Sequence, residues 1–407
     1  MSIALTSFAN LTIDPDSKHR LQSKNVQEEI SDAIRRLVDS IEHRLDTGQK
    51  EASATGDTPA GAVINVSDLL LRYNTDLACS CIFKCNDTVD YISAADKWTN
   101  SVDLGLQTMR YSLVELAVTF TWLGSIFDFI ITRTPLCTDV VKIITGFITQ
   151  MTKLNKAAGQ QMQSAMKRAE SAGAPFDPDD FVLEDGTRFK RNMIDAFISN
   201  YNEGKVSYED YDGSIRMLLA AGLKTSADAS IRLIYYLASN MQTQEKLRRS
   251  IAESGSQSEY LAWCLNETLR LDPPGPFGCS RTTDRDLPVD GGGVIPKGTY
   301  VSTPAHTIHR MPEYWGEDAA VFRPERWAEA DKFHPMQFIP FGAGLRICVG
   351  KDFALAEMKI LFARLLSRYR FERCDKTSDS PLFYAPFLMF TLYDVETYVK
   401  VTRLATE

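Results

Sequence analysis

Ten residues, Phe341-Gly-Ala-Gly-Leu-Arg-Ile-Cys-Val-Gly350, combine one cysteine, one arginine and three glycines immediately ahead of a helical pattern, Phe353 to Leu366. Glycine at 342, 344 and 350 lets backbone approach a flat partner closely. The following helix N-terminus places its positive dipole end and open N–H groups near the Cys348 sulfur, and Arg346 adds a cation two residues upstream. Both favour thiolate over thiol, so the chemistry expected here is thiolate ligation of a metal centre. The alternative is a buried cysteine in an ordinary turn.

Three further groups carry chemistry-bearing residues. Glu267 and Arg270 stand three apart and share one helix face, and Arg326 lies in Pro324-Glu-Arg-Trp327. Opposite charges so placed form charge-assisted hydrogen bonds. Ala221-Gly-Leu-Lys-Thr-Ser226 places Gly222, Lys224 and Thr225 within one turn. Cys79-x-Cys81-x-x-x-Cys85 has no paired Cys-x-x-Cys knuckles and no nearby histidine, so buried helix cysteines are favoured over a zinc site.

Positioning such groups requires long elements, and the first 250 residues supply mainly helices. Ile30, Ile34, Leu37, Val38, Ile41 and Leu45 fall at helical spacing over 26–45. A loop is expected over 49–60, a helix over 67–83 and helical structure over 135–168; 171–190, with Gly173, Pro175 and Pro178, reads as a surface loop. Ser207 with Asp210 signals the N-cap of a helix over 207–240, striped by Ile215, Leu218, Leu219, Ile231, Ile234 and Leu237. After Arg270, Pro273-Pro274 end a helix, Asp290-Gly-Gly-Gly293 marks a turn, and 299–303 and 398–402 read as strands.

The 407 residues are 44% hydrophobic and 24% charged with a formal charge of −8, which is globular composition without the basic stripe of a nucleic-acid binder. Eight cysteines without a compact framework, and no signal-peptide order, imply an intracellular setting. The most apolar stretch, 116–131, contains Asp128 and is shorter than a spanning helix requires; a core helix or peripheral membrane contact is expected.

The pattern Phe-x-x-Gly-x-Arg-x-Cys-x-Gly matches by chance roughly once in ten million starts. It resembles the heme-binding loop of the cytochrome P-450 family, and the order Glu267/Arg270, Pro324–Trp327, Cys348 resembles that family's order of motifs. The resemblance implies a mostly α fold with small β-sheets, a single domain over 1–407 with a helical part (1–250) and a heme-loop part (251–407). Cys348 would ligate heme iron, and Phe341, Gly344 and Gly350 would shape the loop. Arg281 and Arg346 would reach heme propionates, and Phe277, Gly278 and Cys279 would border the substrate cavity. Glu267, Arg270 and Arg326 would form a buried ion triad that fixes the scaffold.

In the same family Gly222 and Thr225 would open their helix for dioxygen, with the Thr225 hydroxyl donating to it. The implied activity is monooxygenation of a small apolar substrate, with dioxygen and electrons from a reductase. Lys224 departs from the acid expected at its position, and Met1 to Arg20 lack the Trp-x-x-x-Arg pattern of an N-terminal lobe, so the fold is expected to be N-terminally truncated or altered. Alternatives are a heme-thiolate isomerase, dehydratase or peroxygenase without a proton relay, or an inactive truncated member. The family's eukaryotic forms imply an endoplasmic reticulum surface if the full-length form is anchored.

Overall fold

The structure is a computed structural model that describes residues 24–55, 61–78, 153, 156–177, 180–186, 188–190, 195–277, 281–377, 383–384, 391–392 and 396–404. The chain divides into two compact units, 1–33 with 75–221 and 34–74 with 222–407. The described residues are mostly helical with small antiparallel sheets, and none of their helices is long and apolar enough to cross a membrane. The stretch 116–131 and the cysteines at 79, 81 and 85 lie outside the described residues.

In the first unit a helix over 156–171 packs Ala158 and Ala165 against Phe181 and Leu183. The segment read as a loop over 171–190 contains a hairpin, Asp180–Val182 paired with Arg188–Lys190. Asp185-Gly186 is its local signal, since glycine supplies the positive φ of a tight hairpin turn, here 85° at Gly186. Tyr201, on the helix Asp195–Asn202, stacks on Tyr211 at 4.6 Å.

The second unit is built around a three-stranded sheet whose central strand, Tyr398–Arg403, pairs with Ala62–Asn65 on one side and Tyr369–Glu372 on the other. Ile64 faces Val399 and Phe371 faces Val401 in register, and all four are buried. Period-2 alternation in these strands thus produces one apolar face. The outer edge at Phe371 is closed by a side chain: the buried Gln244 amide accepts the Phe371 N–H at 3.0 Å and donates to its carbonyl at 2.8 Å.

The helix at the front of the chain runs from Lys24 to Thr55, beyond the expected loop start at 49. Gln49, Lys50, Glu51 and Ala52 are strong helix formers, and they outweigh the single Gly48. The long helix, Tyr208–Ser239, starts where the N-cap signal put it: the Ser207 hydroxyl accepts the Asp210 N–H at 3.1 Å. It is continuous through Gly222 and Thr225, so the expected local opening is absent; one glycine costs a helix interior only about 1 kcal/mol. The expected strand over 299–303 shrinks to Tyr300–Val301, and Asp290–Gly293 closes a hairpin with φ of 89° and 86° at Gly291 and Gly292.

Candidate functional site

The helix Glu259–Leu271, capped by the Ser258 hydroxyl accepting from the Leu261 N–H, carries Glu267 and Arg270 on one face. Glu267 binds Arg270 through both oxygens at 2.9 Å, and its Oε1 accepts from Arg326 Nε and the Arg323 N–H, each at 2.9 Å. The Trp327 indole N–H donates to Oε2 at 3.0 Å. Arg270 spends its remaining donors on the carbonyls of His309, Ala319 and Val321, and Arg326 donates to the carbonyls of Trp315, Asp318 and Val321. Glu267 and Arg270 are fully buried. Burial of such charges is tolerable only when every donor and acceptor is used, and here it is.

The triad helix ends in a second ionic network. Asp272 receives Arg232 at 2.6 Å, the Tyr236 hydroxyl at 2.6 Å and Arg310 at 2.9 Å. Burial alone would raise this carboxyl, but Arg232, Tyr236 and Arg310 together hold it below the ordinary carboxylate value. Arg232 and Tyr236 lie on the long helix, so this network fixes that helix against the end of the triad helix.

The cysteine loop is shaped by backbone. Gly342 and Gly344 adopt φ of 72° and 70°, which other residues rarely take. The Cys348 N–H donates to the Phe341 carbonyl at 2.9 Å and closes the loop. A Cβ at Gly350 would sit 3.9 Å from the Cys348 sulfur, so glycine there keeps one side of the sulfur open. The helix Lys351–Leu366 begins one residue later, and Cys348 is exposed together with Leu345, Arg346, Ile347 and Val349.

The donor chemistry is that of a single sulfur at a helix N-terminus, with no cluster of three or more His, Cys, Asp or Glu among the described residues. A flat cofactor that brings most of its metal's ligands itself would need only one such sulfur, a Gly-lined approach and apolar flanks. The loop fits it.

The triad residues are brought together, and Phe341, Gly344, Arg346, Cys348 and Gly350 share one loop. Arg281 lies exposed on a short strand paired with Tyr300–Val301, and Thr225 is half-buried on the long helix. Lys224 bonds Asp228 one turn further on, Nζ to Oδ1 at 3.3 Å, and Asp228 is almost fully buried. Of the expected cavity-border residues, 278 and 279 lie outside the described residues.

A matching family model, described as Cytochrome P450, covers residues 10–401. The chain belongs to the cytochrome P-450 family. Similar curated proteins include "Cytochrome P450 monooxygenase alt2" of Alternaria solani, 40% identical over 37% of this chain and 33% of that protein. "Cytochrome P450 3A5" of Homo sapiens is 33% identical over 46% of this chain and 40% of that protein, and "Cytochrome P450 4X1" of Rattus norvegicus 32% identical over 47% and 40%. The matched stretch thus spans less than half the length of these relatives. Members of this family bind heme, which agrees with the fit of the cysteine loop.

One residue near this site escaped the sequence reading. Glu357, on the Lys351–Leu366 helix, is completely buried, and the Tyr73 hydroxyl donates to its Oε2 at 3.0 Å. Burial pushes its carboxyl up to about 8, against the opposing pull of Tyr73 and Ser226, so it is a neutral acid at pH 7. Ser226 directly follows Thr225 in the chain. The available signal was an acid lying one turn before Leu361 on the same stripe as Leu365.

Proposed function

We propose that this chain is a heme-thiolate monooxygenase that oxidises a small apolar organic substrate with dioxygen and electrons from a reductase. The observation that carries the reading is Cys348: an exposed sulfur on a glycine-shaped loop at the start of a helix, in a chain of the cytochrome P-450 family. Heme held by this sulfur would supply dioxygen activation there.

The chain's own residues then hold, orient and supply protons. Cys348 would hold the heme iron, Arg346 and Arg281 would pair with the propionates, and Phe341, Gly344 and Gly350 would shape the contact with the ring. Glu267, Arg270 and Arg326 fix the segments before the loop. The Thr225 hydroxyl, on the long helix with Gly222 one turn earlier, would donate to dioxygen. Lys224, engaged with Asp228, takes no part in accepting protons. Glu357 holds a proton beside Ser226, where an acid is available although position 224 has none.

The test is the absorption spectrum of the reduced, heme-loaded protein under carbon monoxide. A far red-shifted Soret band is expected, and Cys348→Ser abolishes it; a folded protein that takes up no heme overturns the reading. The Lys224–Asp228 pair favours a second reading, a heme-thiolate enzyme of the peroxygenase, isomerase or dehydratase kind that needs no proton relay at 224. Turnover driven by an organic peroxide, with none from NADPH and a reductase, selects the peroxygenase form.

A further inference from the structure

Ile339, three residues before the first glycine of the cysteine loop, has an unusual backbone partner. Its N–H donates to a side chain, the Nε2 of His309, at 2.9 Å. Its carbonyl accepts the Gly342 N–H at 3.0 Å, and Phe341 in turn accepts the Cys348 N–H at 2.9 Å. His309 itself is fully buried, with its own carbonyl receiving Arg270 Nη1 at 2.7 Å and its ring 5.3 Å from Phe338. Hydrogen bonds thus tie the ion triad, through one histidine, to the backbone at the start of the loop that carries Cys348.

The ring's protonation follows from this geometry. Nε2 accepts, so the single proton of the neutral ring sits on Nδ1, which is buried and has no hydrogen-bond partner among the described residues. Leaving a buried N–H unsatisfied is costly, and an apolar residue would avoid that cost. What an apolar residue lacks is an acceptor for Ile339. That requirement accounts for histidine at a fully buried position beside Phe338.

We infer that His309 is a positioning residue for the thiolate ligand: its Nε2 sets the Ile339 amide, and through it the start of the cysteine loop, against the frame of the ion triad. The inference rests on the heme-thiolate reading for its functional consequence, but the positioning itself is a property of the polypeptide. It does not require His309 to touch cofactor or substrate.

Two substitutions separate acceptor from packing. His309→Leu fills the apolar space without an acceptor, and His309→Gln offers an amide oxygen at similar reach. Amide hydrogen exchange of the segment 337–342, read by mass spectrometry on the full chain, is expected to speed up at least tenfold at Ile339 in His309→Leu and to return to within threefold of the parent in His309→Gln. In heme-loaded, reduced, carbon monoxide-treated protein at neutral pH, the fraction showing the thiolate band is expected to fall by half or more in the first variant and to recover in the second. Should His309→Leu not fold, His309→Asn, whose shorter amide stops short of Ile339, carries the same expectations. Parent-like exchange at Ile339 in the acceptor-free variant overturns the inference, as does exchange raised uniformly across the chain with an unchanged thiolate fraction. A parent protein that binds no heme sinks the functional reading alone, because the exchange measurement still decides the positioning.

Discussion

The ion triad and the cysteine loop sit in the same unit and are built by opposite means. At the triad, three charged side chains are driven into the interior, and every one of their donors and acceptors meets a partner supplied by the chain. At the loop, backbone does the shaping: two left-handed glycines and a backbone hydrogen bond set the turn, and Leu345, Arg346 and Cys348 are exposed. The difference teaches where each can fail. The triad is intolerant of losing any member, since a remaining charge would be stranded in low dielectric, whereas the loop tolerates side-chain change and depends on backbone conformation.

Glu267→Gln attacks the first half of that contrast most directly. It leaves two buried guanidinium groups without their carboxylate, and a loss of about 3–5 kcal/mol is expected in urea denaturation. A loss under about 1 kcal/mol would erase the contrast.

Glu357 sharpens the comparison by showing a buried charge site solved by neutralisation instead of pairing. Its folded-state pKa is raised from 4.5 to about 8, so the folded protein keeps a proton that the unfolded chain has already released. Stability should therefore fall as pH rises from about 4.5 to 8, by at most about 1.4 kcal/mol per unit, and level off above. In Glu357→Gln this slope is expected to vanish, as read by denaturation at a series of pH values.

His309 gives the opposite sign over a narrower window. Burial, with Arg270 and His306 nearby, lowers its pKa from 6.5 to about 4. The unfolded chain gains a proton that the folded one refuses, so this contribution weakens as pH falls from about 6.5 to 4. His309→Gln should flatten that limb of the stability profile.

Lys224→Met takes a lysine from the almost fully buried Asp228 and should cost about 1–3 kcal/mol, less than the triad because Lys224 itself is partly exposed. Lys224→Asp is a poorer probe of proton supply, because it sets two carboxylates one turn apart. The smallest effect belongs to the loop: Cys348→Ser should alter stability by no more than about 0.5 kcal/mol while removing the thiolate band.

What the sequence disclosed follows the same division. Spacing identifies Glu267 and Arg270 as neighbours because three residues make one helical face, and Ser207 with Asp210 marks a helix start because capping is local. The hairpin over 180–190 was equally local, and Asp185-Gly186 announced it, but the surrounding prolines and acids drew the reading toward a loop. Asp228 as partner of Lys224 was also within reach, four residues along a helix. Glu357 and His309 were not legible in the same way. Their chemistry comes from burial, and burial depends on Tyr73, Ser226, Ile339 and Arg270, which arrive from distant parts of the chain.

The central sheet has a consequence in time. Ala62 pairs with Val401, so the strand Ala62–Asn65 has no partner until about 340 further residues have been made. At 5–20 residues per second, that is a wait of roughly 20–70 s on the ribosome. During it Ile64 and its neighbours lack the strand that buries them, and the unit cannot close until its final strand emerges. A stop codon a few residues before Tyr398 would remove the strand that both Ile64 and Phe371 pack beside, and would be far more damaging than its small loss of length suggests.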